Sequence, residues 1–154
     1  MREYIVPTLF LLLFPRAPAQ TVPAGWKVVK DSRGACQIAV PPEWVPLGEN
    51  TGAAVFQDAT TAIAVVTSQP GQTFKPLTES LQKVLAIRKE KLFENSARRI
   101  FYQDKISKNS EDPNAYSASV PGKNGTCSCR VAFVPGVPEE TARKIALSLS
   151  PAPE

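Results

Sequence analysis

The sequence contains no histidine, and its one methionine is Met1. Without an imidazole there is no Ser-His-Asp or Cys-His machinery, no His-ligated zinc and no His-held haem, because each uses that ring as base or ligand. The missing thioethers exclude the methionine sites that serve copper transport and cytochromes. The reading for catalytic residues, metal ligands and cofactors is therefore none. A Ser/Lys pair is the nucleophilic arrangement left open, and serine and lysine are too frequent here for any one pair to stand out. Asp58, Asp104, Glu111 and Asp112 all fall in or beside expected turns, where solvated acids belong, rather than in a glycosidase pair or calcium site.

Long hydrophobic runs are also missing. The longest, Ile5–Phe14, covers ten residues, against the roughly 20 needed to span a bilayer. It follows a charged start, Met1-Arg2-Glu3, and precedes Ala17-Pro18-Ala19, the layout of a secretory signal cleaved after Ala19. The expectation is a signal peptide over residues 1–19, a secreted or periplasmic location and no transmembrane segment after cleavage. Residues 20–154 then form one domain, large enough to bury a core. Dense charge is lacking too. Removing Arg2, Arg16 and Glu3 from 18 basic and 14 acidic residues leaves 16 and 13, a net +3. That is no basic stripe of the kind that binds nucleic acid, so nucleic acid is excluded as a partner.

What is present begins with Thr126–Val134. Its alternation puts Cys127, Cys129, Val131 and Phe133 on one face of a strand and Ser128, Arg130 and Ala132 on the other. Upstream, Trp26–Asp31 and Ala35–Val40 read as a hairpin stopped by Pro41-Pro42, which cannot donate to a ladder. Trp44 and Leu47 are expected to fold back as plugs. Ala53–Gln57, a turn at 58–60 and Thr61–Thr67 read as a second hairpin, whose second strand is apolar enough to be central and covered on both faces.

Pro76 opens a helix expected to run from about 77 to 93, with Leu77, Leu81, Val84, Leu85 and Leu92 on one stripe and Asn95 as its cap. At about 25 Å it would lie across a whole sheet. Strands at 98–107 and 115–120, separated by a polar turn at 108–113, complete a meander with the strand at 126–134. Pro138-Glu139-Glu140 starts a last helix, to about 149, with acids where the dipole favours them and Ala142, Ile145, Ala146 and Leu149 buried; Ser150-Pro151 ends it. The fold class is α+β: an antiparallel sheet of about six to seven strands sandwiched by the two helices.

Cys36-Gln37-Ile38-Ala39-Val40 running into Pro41-Pro42-Glu43-Trp44, with the closing helix Ala142–Leu149, resembles the PsbP-like family. Its relatives include photosystem accessory proteins and a Ran-binding nuclear import factor. The resemblance covers nearly all of residues 26–149. It implies an antiparallel sheet between helices and a binding or assembly role without catalysis. No functional residue is carried over from it.

Three side-chain groups are candidates for function. In an oxidising compartment the cysteines pair. Cys127 and Cys129 are two apart on one strand, about 6.5–7 Å between Cβ atoms against the roughly 3.5–4.5 Å a disulfide needs, so Cys36 pairs with Cys127 or Cys129 across neighbouring strands. The leftover thiol is expected to be buried and inert. Lys83, Arg88, Lys89, Lys91, Arg98 and Arg99 form a basic cluster that could contact lipid phosphates or an acidic polymer, against the plainer reading of a solvated face. Trp26, Trp44 and Tyr116 could line a groove, though aromatics on a sheet are more often core.

The function expected is that of a non-catalytic exported accessory or binding protein, engaging an envelope protein or an anionic envelope surface. The alternatives are a thiol-dependent redox or soft-metal-handling protein, which requires an exposed cysteine of low pKa, and a histidine-free hydrolase, which requires a deep polar cleft.

Overall fold

The computed structural model describes residues 22–49, 51–55, 62–105, 114–134 and 136–153. The leader expected over 1–19, the turns at 58–60 and 108–113, and Asp58, Glu111 and Asp112 lie outside the described residues. In chain order the elements are β1 (Lys27–Lys30), β2 (Cys36–Val40), β3 (Val45–Pro46), β4 (Ala53–Val55), β5 (Ala62–Pro70), α1 (Glu79–Ile87), β6 (Leu92–Asn95), β7 (Ile100–Asp104), β8 (Ala115–Gly122), β9 (Gly125–Phe133), α2 (Glu139–Leu147) and β10 (Ser150–Pro151). The fold is α+β. Seven strands form one antiparallel sheet in the order β3-β4-β5-β9-β8-β7-β6, and β1-β2-β10 form a second.

The alternation at β9 sorts its side chains as expected: Cys127, Cys129 and Val131 are buried, while Arg130 is exposed. The buried face of β9, with Ala64, Val66, Ala118 and Val120 from its neighbours, meets Ile38 and Val40 of the small sheet and Ala142, Ile145 and Ala146 of α2 in one core. Ser150-Pro151 does more than end the helix. It pairs with β2 at Gln37 and Cys36, and Ser148 donates to the Ile145 carbonyl while accepting from the Ala39 N–H.

Three expectations are corrected. The helix expected over 77–93 ends at Ile87, and Leu92–Asn95 is a strand paired with β7. Leu92 fits a helical stripe, but Leu92–Asn95 also fits an edge strand, and the stacking of Phe93 on Phe101 at 5.2 Å favours the strand. None of the residues of α1 is buried, so the helix that packs the sheet is α2. Second, β5 is covered on one face: Ala62, Ala64 and Val66 are buried and Ile63 and Val65 are half-buried. Its apolar run reflects a half-buried floor, not a second layer. Third, Trp44 is fully buried but Leu47 is exposed, its N–H held by the Ala53 carbonyl in the turn before β4.

No described helix is long and apolar enough to cross a membrane.

Candidate binding surface

Cross-strand register assembles a surface on the sheet face opposite α2. Thr67 of β5 stands opposite Ser128 of β9, which stands opposite Ser119 of β8. One pleat along, Val65, Arg130, Ser117 and Tyr102 line up across β5, β9, β8 and β7. Ile63 and Ala132 begin the next row. Side chains two apart on a strand share a face, so the three rows form one floor, apolar toward β5 and hydroxyl-bearing toward β7. A cavity of about 510 Å³ lies over it.

The floor is held from its β7 end. The Nε of Arg130 pairs with Asp104 Oδ2 at 2.8 Å, and its Nη2 donates to the Lys105 carbonyl at 2.6 Å. Ser117 donates to the same Asp104 oxygen at 3.2 Å, and the Lys105 N–H donates to Oδ1 at 2.7 Å. Asp104 is buried, whereas the Arg130 side chain is 46% exposed. The guanidinium that lines the cavity is thus held by Asp104 and Lys105 rather than left to search its rotamers, which lowers the entropy cost of engaging a ligand. Ser119 and Ser128 share a hydrogen bond at 3.0 Å. Burial first, then the Asp104 carboxylate, push the Tyr102 phenol up, so it stays protonated and able to donate.

Behind Asp104 lies Glu90, whose side chain is fully buried with the Arg88 guanidinium 2.7 Å away. Arg88 also reaches Asp104 at 3.9 Å. Burial raises the Glu90 pKa. Arg88 opposes that rise, and the nearby Asp104 adds to it.

The cations expected as one cluster are divided. Lys83 is on α1, Arg88 and Lys89 close that helix, and Lys91 precedes β6 with its Nζ 5.1 Å from the Phe93 ring. Arg98 and Arg99 lie past the other end of β6, where Arg99 pairs with Glu94 at 3.7 Å. The division follows from the end of the helix at Ile87: a helix to Phe93 would have carried Lys83, Arg88, Lys89 and Lys91 on one rod leading to Arg98 and Arg99, whereas strand β6 now separates the two groups.

The three groove candidates do not share a groove. Trp44 is wholly inside the core, and Trp26 packs part-buried against it. Tyr116 is 2% exposed, stacked between Phe101 and Phe133. Its hydroxyl donates to Glu139 and accepts from Gln103, at the wall of a cavity of about 580 Å³ that Arg143 also lines. Burial, then the Glu139 hydrogen bond, push its phenol up to about 12.

The disulfide joins Cys36 to Cys127, with 5.6 Å between Cα atoms. It bridges the small sheet to the large one, facing layers rather than neighbouring strands of one sheet. Cys129 is left free and buried beneath α2, where its thiol lies 3.5 Å from the Ala146 carbonyl; burial pushes its pKa up to about 12.

Sequence reasoning placed Ser128, Arg130 and Ala132 on one face but missed the floor. The signal was the matching alternation in Ile63-Ala64-Val65-Val66-Thr67 and Ser117-Ala118-Ser119, which becomes a surface once the register of three strands is known. No protein-family model matches the chain, and no curated protein is significantly similar to it.

Proposed function

We propose that the chain is an exported accessory protein that acts by binding at the cell envelope, without catalysis, through the floor of its large sheet, which no described element covers. The observation that carries this reading is that floor: about 510 Å³ of cavity above rows of hydroxyls and apolar side chains, with Arg130 fixed at one side by Asp104. Such a surface suits a partner segment that carries both apolar groups and a hydrogen-bonding anion, for which a preorganised guanidinium is the natural anchor. The leader read over residues 1–19 and the resemblance to the PsbP-like family support the same reading. Thiol or soft-metal chemistry needs an exposed cysteine of low pKa, whereas Cys129 is buried and raised.

The test is site-specific photocrosslinking in an exporting host, with the reactive group at position 119 on the floor or at position 32 in the β1–β2 turn. A discrete adduct from 119, absent from 32 and lost on Arg130→Glu in a chain that still melts cooperatively, is expected. Adducts that are the same from both positions, or unaffected by Arg130→Glu, would overturn the proposal.

A further inference from the structure

Helix α1 is amphipathic, yet none of its nine residues is buried. Leu81, Val84 and Ile87, spaced three apart, are 50%, 46% and 80% exposed. Three-residue spacing carries a row slowly round a helix, so these side chains form an outward apolar strip, while Gln82 and Leu85 turn toward the protein. A solvated helix normally turns its apolar stripe inward. Here the core is already closed by α2, and the stripe of α1 has no described element over its outer half.

The exposed charges on α1 and in the turns beside it are mostly cations. Lys75, Lys83, Lys89 and Lys91 are all exposed, and Lys75, Lys83 and Lys89 make no ion pair among the described residues. Glu79 is the one exposed acid of α1, and Glu90 is turned inward against Arg88. The orientation of the helix is fixed. Thr78 caps its start, Asn95 ties Leu77 to the end of β6, and the chain reverses at Arg88–Glu90, where the Lys89 N–H reaches the Ala86 carbonyl and the Glu90 N–H the Leu85 carbonyl. The strip is therefore presented in a set direction, with Lys83 on the same helix and Lys89 in the turn that ends it.

From this combination we infer that α1 is a docking element for an anionic lipid bilayer, lying in the plane of the interface with Leu81, Val84 and Ile87 among the upper acyl chains and the lysines at headgroup phosphates. A second copy of the chain is the weaker occupant, because it would set the same lysines against one another. A bilayer accepts a convex, isolated helix without needing a complementary groove and supplies the missing negative charge. The inference deepens the envelope-binding proposal and rests on it only in placing the chain beside a membrane.

The experiment uses the chain as exported and processed by its host, with an environment-sensitive dye on Ser80→Cys in α1 or on Ser32→Cys in the β1–β2 turn. Vesicles of phosphatidylglycerol with phosphatidylcholine, and of phosphatidylcholine alone, are the probes. A blue shift at position 80, absent at 32 and absent with neutral vesicles, is expected. The pairs Lys83→Glu with Lys89→Glu, and Leu81→Ser with Ile87→Ser, should each weaken vesicle binding by about tenfold or more. All four positions are exposed, so the variants should keep their melting transitions.

Equal shifts at both positions, equal binding to neutral vesicles, undiminished binding in either pair, or a dimer that forms without vesicles through the α1 strip would overturn the inference. Arg130→Glu should leave vesicle binding unchanged, so the sheet floor and the helix can fail independently.

Discussion

Asn95 grips Leu77 by both polar groups of its backbone: Oδ1 accepts the Leu77 N–H at 2.7 Å, and Nδ2 donates to the Leu77 carbonyl at 3.1 Å. One side chain at the end of β6 thus sets where α1 begins. Asn95→Ala should cost about 1–2 kcal/mol. The loss should concentrate in α1, seen as faster amide exchange over residues 79–87 with β8 and β9 unchanged.

Lys89 holds a left-handed backbone, φ 56°, at the turn that ends α1. Glycine takes that conformation without the Cβ clash, offset in part by its freer unfolded chain. Lys89→Gly should therefore raise stability by about 0.5–1 kcal/mol in chemical denaturation. The same change removes a cation from the α1 strip, so stability and vesicle affinity should move in opposite directions.

Asp31 and Glu90 predict opposite responses to pH. Burial acts most strongly on Asp31 and would raise its pKa, but hydrogen bonds from Ser68, Cys36, Arg33 and Ala35 together hold it below 3.8. Its contribution is full above that unfolded value and fades as pH falls through the lower folded one. Asp31→Asn should flatten this acid limb and, at neutral pH, cost about 1–3 kcal/mol. Burial, only partly opposed by Arg88, raises Glu90 above 4.5, so the folded state holds the proton more tightly and stability falls as pH climbs from 4.5 through the folded value. Glu90→Gln should remove that fall, read from denaturation midpoints between pH 4 and 8.

Breaking the sheet-to-sheet bridge should be the most damaging single change. Cys36 and Cys127 are 91 residues apart, and a loop of that length corresponds to up to about 4–5 kcal/mol of chain entropy, less any strain. Cys36→Ser with Cys127→Ser should lower the melting temperature accordingly, while Cys129→Ala should have a far smaller effect. Thiol titration of the native wild type should find no reactive group. One should appear on unfolding without reductant, and three on unfolding with it.

The parts of the fold legible in the sequence are those where one period excludes the other. Cys36-Gln37-Ile38-Ala39-Val40 and Thr126–Phe133 alternate without a competing helical stripe, and Ala142, Ile145 and Ala146 have no strand reading. Leu92 continues the helical stripe of Leu85 while Leu92–Asn95 also fits an edge strand, so only pairing with β7 decides where the helix stops. The covered and open faces of β5 could not be distinguished for a related reason: alanine and valine serve equally in a core and on a half-exposed floor. For the candidate surface, Arg130 was visible as an outward residue of its strand. Its clamp by Asp104, 26 positions upstream, depends on the β7-β8-β9 register, which no local pattern encodes.

The position of the bridge bears on how the chain matures. Cys36 emerges early and has no correct mate until 91 more residues have followed, and its two candidate partners, Cys127 and Cys129, sit on the same side of one ribbon. Choosing the later one would drag that ribbon by two residues, roughly 6.6 Å, and pull the thiol away from its place under the closing helix. Once the two layers have met, their packing puts Cys127 rather than Cys129 against Cys36, so the crosslink can act as a seal on an assembled sandwich, and a mis-paired bridge formed earlier would have to be exchanged by the thiol left over.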